Sequence, residues 1–114
     1  MVLLKILVNN IKSNYSFIFY ISYSLRGVMP EISSFFGIII TMNFNDHNPP
    51  HLHADYGEFE AIFDIAENKV ISGNLGRTAT KLVKNWIRIH KVELLEDWNL
   101  LRNKMQPIKI TPLD

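Results

Sequence analysis

Residues 46–58 read DHNPPHLHADYGE. Three histidines, His47, His51 and His53, fall within seven positions around a double proline, with Asp46 before them and Asp55 and Glu58 after. Imidazole titrates near neutral pH, so one ring can accept a proton while another donates one. The same rings, uncharged, ligate transition metals, and a carboxylate can complete their shell. In a strand, residues i and i+2 share a face. With Leu52 and Ala54 on the core side, His51, His53 and Asp55 face the other way together. The stiff Asn48-Pro49-Pro50 turn brings His47 round to them, and Asp46 is placed to orient a ring.

Three uses of this cluster compete. The first is metal-independent acid–base cleavage of a phosphodiester such as RNA, which requires no cofactor. His47, His51 and His53 would transfer protons and Asp46 would orient them. Asp55, Tyr56, Glu58, Arg77, Lys81 and Arg88 would meet substrate or a partner, the cations holding phosphate. The second is a metal site with His47, His51 and His53 as ligands. The stretch His51-x-His53-x4-Glu58 copies part of a cupin signature, but the glycines expected around it are missing. The third is structural. Histidines beside Pro-Pro can bond backbone groups that the prolines leave without partners. There is no glycine-rich phosphate loop and no serine nucleophile elbow.

The elements that must hold the cluster follow from periodicity. Residues 35–44, FFGIIITMNF, are aromatic and β-branched and read as one buried strand. Residues 51–56 alternate, Gly57 permits a turn, and residues 58–65 place Phe59, Ala61, Phe63 and Ile65 on one face and turn Glu58, Glu60 and Asp64 outward. A short strand follows around residues 69–72. From Arg77 the period lengthens: Ala79, Leu82, Val83, Trp86 and Ile87 form a helical stripe, continued by Leu94, Leu95, Trp98 and Leu101. One straight helix over residues 77–103 would run roughly 40 Å, so a break or sharp kink is expected near His90–Glu93. The predicted fold is α+β: a small antiparallel sheet of three or four strands followed by two C-terminal helices, or one kinked helix. Trp86 and Trp98 sit at core spacing, His90 reads as a helix-end histidine, and Lys81, Lys84, Arg88 and Lys91 form a basic helix edge.

At 114 residues the chain holds one domain at most. Lys+Arg 12 against Asp+Glu 11 excludes a broad basic surface, and the absence of cysteine excludes disulfides and thiolate metal sites. Residues 1–28 carry Lys5, Lys12 and Arg26 and no acid. Their apolar runs are interrupted well short of the about 20 residues a bilayer needs, and no small-x-small cleavage pattern follows YSFIFYISY. They read as an N-terminal extension, with residues 29–114 as a single α+β domain opening at Met29. No membrane partner is expected, and the cytoplasm is the expected location.

Four separated blocks occur in order: MPEISSFFGI, NDHNPPHLHADYGEFEA, KLVKNWIRIHKVELLEDW and PIKITPL. Over about residues 29–113 the chain resembles the bacterial domain-of-unknown-function family 4160. That resemblance implies a protein often encoded next to a small partner, in some cases the toxin of a type II toxin–antitoxin pair. By position it picks out Asp46, His47, Pro49, Pro50, His51, His53, Ala54 and Tyr56. Phe44, Leu52 and Gly76 depart from the family's usual residues. The leading expectation is therefore a toxin component acting on RNA or another phosphodiester, with a small antitoxin-like partner. The alternatives are a non-catalytic interaction module that regulates transcription with a DNA-binding partner, and a histidine-based metal-binding protein.

Overall fold

A computed structural model describes residues 29–44 and 46–114. The extension over residues 1–28 lies outside the described residues. Five strands form one antiparallel meander in chain order: β1 (Glu31–Phe35), β2 (Ile38–Thr41), β3 (His51–Tyr56), β4 (Phe59–Asp64) and β5 (Lys69–Gly73). One helix, α1 (Arg77–Arg102), follows.

The sheet has more strands than the three or four predicted, and the cause is local. The apolar run over residues 35–44 is not one strand. Phe36 and Gly37 take φ of 51° and 80° and form a two-residue turn between β1 and β2. A hairpin turn whose two central residues both have positive φ matches the right-handed twist of its strands. A bulky residue such as Phe36 rarely occupies that region, so the run gives no turn signal on its first half.

Register and pleat sort the side chains. Ile40, Ala54 and Ala61 are aligned across β2, β3 and β4, as are Leu52 and Phe63 across β3 and β4. All five are buried, and they form the sheet's contribution to the core. The helix contributes Ala79, Val83, Trp86, Ile87, Leu94, Trp98 and Leu101, the stripe read from the sequence. Phe35 and Trp86 rings meet with centroids 5.2 Å apart. The C-terminal tail returns over this core: Trp86 Nε1 donates to Thr111 O at 2.8 Å, and Ile110 N donates to Ile32 O at 3.0 Å.

The helix is single but bent. His90 has φ −110° and ψ 23°, outside helical values, at the near edge of the expected break. Two separate helices are not formed; backbone hydrogen bonding resumes beyond the bend. The second half carries Trp98 to His51 and Arg102 to the loop between β2 and β3. The bend thus lets one helix serve both the sheet's core and the histidine-bearing loop.

Candidate functional site

β3 begins at His51, immediately after the double proline. Alternation along β3 buries Leu52 and Ala54 and leaves His51, His53 and Asp55 half-buried on the other side. The loop leading in is pinned by Asp46. Its Oδ1 accepts from His47 N at 3.0 Å, and its Oδ2 lies 2.9 Å from His51 Nε2. The opposite nitrogen of the same ring, His51 Nδ1, lies 2.8 Å from Pro49 O. Both faces of that ring's polar edge therefore meet an acceptor. Neighbouring rings complete the surroundings: Trp98 at 5.1 Å and His53 at 5.5 Å between centroids.

His53 is as enclosed as His51, with 13% of its side chain exposed. Neither of its ring nitrogens has a hydrogen-bond partner among the described residues. The nearest carboxylate oxygen, on Glu60 of β4, is 3.9 Å from Nδ1. Thr41, directly opposite His53 in the β2–β3 ladder, has a buried Oγ1 that also lacks a partner. Burial lowers the His53 pKa from the ordinary 6.5, and the neighbouring His51 adds to the shift, while Asp46, Glu60 and Asp55 oppose it. The uncharged ring is the favoured form.

Asp46, His51 and His53 together present three ligand atoms within 4.8 Å of one another. The other residues singled out from the sequence lie elsewhere. His47 stands at the rim with its side chain 95% exposed, and only its Nδ1, 3.4 Å from Asp46 Oδ1, approaches the group. Tyr56 and Glu58 belong to the far end of the hairpin, on the order of 15 Å along the strand from His51. Glu58 falls in the β3–β4 turn, not in β4, so it does not share the outward face expected of it. Asp64, expected to face solvent, is buried and accepts from Glu67 N at 2.8 Å.

The basic residues are also redistributed. Arg77, Lys81 and Arg88 are exposed on the helix, and Arg88 bonds Asn85 of its own turn. The cation that touches the histidine-bearing loop is Arg102, whose guanidinium donates to Asn48 Oδ1 at 3.1 Å. From Arg88 to Arg102 the helix climbs roughly 20 Å, too far for the earlier cations to share that role. Arg102 sits in the last turn, where a basic residue reads as a simple helix end. Its packing in the fold, beyond the bend at His90, sets it beside Asn48. Glu60 was legible as an outward residue of β4, but its pairing with His53 needed the β3–β4 register.

Comparison with known proteins adds a family and little else. Residues 37–99 match the family model described as Domain of unknown function (DUF4160). No curated protein and no solved structure matches the chain. No helix among the described residues is long and apolar enough to cross a membrane.

Proposed function

The chain belongs to the DUF4160 family, and from that premise we propose that it is a phosphodiester-cleaving toxin, directed at RNA, whose reactive centre is Asp46, His51 and His53. The observation that carries this reading is their convergence at one strand start, with Arg102 bonded to Asn48 of the loop that leads into it. Cleaving a phosphodiester needs a group that readies the attacking oxygen and a cation that holds the phosphate oxygens. The Asp/His/His cluster supplies the first. Arg102, with a planar fork of donors suited to phosphate, supplies the second. His47 stands at the mouth of the site, free to meet a substrate. The setting, a bacterial cytoplasm with a small antitoxin encoded nearby, extends from the resemblance in the four sequence blocks. Incubating purified protein with RNA tests the reading: cleavage is expected, with loss in His53→Gln and in Arg102→Gln. Intact RNA with folded wild-type protein contradicts it.

A second reading is favoured by a different observation. At the other end of the sheet, Phe36, Tyr56 and Phe59 are all exposed, with Tyr56 and Phe59 paired across the β3–β4 ladder. Grouped apolar side chains of this kind mark surfaces for protein contact. In this reading the domain is a non-catalytic module bound to a DNA-binding partner. Phe36→Ser with Phe59→Ser would then abolish the transcriptional phenotype, and His53→Gln would leave it unchanged.

A further inference from the structure

We propose that Asp46, His51 and His53 bind one divalent first-row transition-metal ion, as a two-histidine, one-carboxylate set of the kind that serves zinc or iron(II). This deepens the reading of the same centre above, yet the site stands on its own geometry whatever the substrate. It also replaces the ligand trio of His47, His51 and His53 expected from the sequence, since His47 is turned out to solvent and Asp46 is turned in.

The first argument is a mismatch at His51. Its two nitrogens face two acceptors, Pro49 O at 2.8 Å and Asp46 Oδ2 at 2.9 Å. A neutral imidazole has one N–H. If Nδ1–H donates to Pro49 O, the Nε2 lone pair points at a carboxylate oxygen. A cation placed between Nε2 and Oδ2 would satisfy both lone pairs at once. The second argument is His53. A ring with both nitrogens buried and unpartnered is rare in a folded protein and calls for a ligand. Its uncharged form carries the lone pair that a metal takes. Thr41 Oγ1, across the ladder from His53, is likewise buried and unpartnered.

Geometry agrees. Bonds of about 2.0–2.1 Å in a tetrahedral site set ligand atoms about 3.4 Å apart. The three side chains already hold theirs within 4.8 Å, so small rotamer changes close the set. The outer partners are in place as well. Metal-bound histidines characteristically give their second N–H to a carbonyl or carboxylate. Pro49 O has that position for His51, and Glu60 approaches it for His53 at 3.9 Å. The Trp98 ring packs against that of His51 with centroids 5.1 Å apart, an apolar neighbour for the site. Three protein ligands leave a coordination position open, which suits a metal-bound water acting on a phosphodiester held by Arg102.

The test uses full-length, untagged protein stripped of metal with a chelator and titrated with cobalt(II), read by visible d–d absorption and calorimetry. Saturation at one equivalent, reversed by zinc, is expected. His53→Gln and Asp46→Asn should each weaken binding at least as much as the roughly 10–100-fold loss that outer partners alone produce. His47→Gln should bind as wild type does. Circular dichroism checks that each variant is folded. No saturable uptake by folded wild type, or unchanged uptake by both His53→Gln and Asp46→Asn, overturns the proposal, as does loss in His47→Gln alone. Failures stay separable: one tightly bound cobalt with intact RNA removes the nuclease reading and keeps the site, whereas RNA cleavage undiminished by chelator removes the metal and keeps the nuclease.

Discussion

The β3–β4 hairpin has two unlike ends. At the His51 end, ionisable groups are drawn in: His51, His53 and Asp46 are half-buried, and Asp64, opposite His51, is buried. At the turn end, Tyr56 faces Phe59 across the ladder, and both are exposed beside exposed Phe36. This inverts the ordinary distribution of polar and apolar residues. The difference comes from what is folded over each end. The bent helix brings Trp98 and Arg102 to the first. The two tight turns that close the second are too short to cover it. Burial of a titratable group that lacks partners destabilises a fold, so His53 at that end points to a function there.

Trp86 belongs to the frame that both ends share, so its removal has the largest expected effect. The side chain is fully buried against Phe35 and ties the C-terminal tail through Thr111 O. Trp86→Ala should lower unfolding free energy by about 3–5 kcal/mol in a urea titration. A loss under about 1 kcal/mol would mean that the helix packs differently.

A sharper contrast comes from His53→Leu. An unpartnered buried polar group costs about 1–3 kcal/mol, and leucine fills similar space without that penalty. The variant should gain about 1 kcal/mol in metal-free buffer while losing RNA cleavage. A comparable loss of stability would make the ring a structural element and dissolve the contrast between the two ends.

The pH dependence follows in size. The His53 pKa is depressed by folding, so below 6.5 the unfolded chain takes up a proton that the folded chain resists. Metal-free protein should therefore lose stability as pH falls from 6.5 through the folded value, and His53→Leu should remove that part of the slope. Asp97 works in the opposite sense. Burial raises its pKa above 3.8 despite the hydrogen bond from Ile108 N, with Glu93 and Glu96 adding to the shift. Its contribution is greatest at low pH and fades as pH rises from 3.8 through the folded value. Asp97→Asn should flatten that acid-side change in the same titration. The smallest effect is expected at the open end: Phe59→Ser, at a residue 54% exposed, should stay within about 0.5 kcal/mol.

Much of this frame was legible in the sequence, and the limits have physical causes. Period-two burial at Leu52, Ala54, Ala61 and Phe63, and the helical stripe through Trp86 and Trp98, are one-dimensional signals, and the sequence read them directly. A helix too long to stay straight also pointed to the neighbourhood of His90. The turn at Phe36–Gly37 was hidden because its first residue is a bulky apolar side chain in a left-handed conformation, inside an apolar run. The inward placement of Asp46 and outward placement of His47 depend on loop dihedrals, for which adjacent positions give no periodic cue. Arg102 was missed because it meets Asn48, 54 positions earlier, only through tertiary packing, which spacing along the helix does not encode.

The most direct test of the central claim, that the half-buried end is the working end, is growth of a bacterial host after inducing the full chain. Wild type is compared with His53→Gln and with Phe59→Ser, at matched soluble expression. The account predicts arrest by wild type and Phe59→Ser, and normal growth with His53→Gln. Arrest by His53→Gln equal to wild type, or no arrest by wild type, would contradict it.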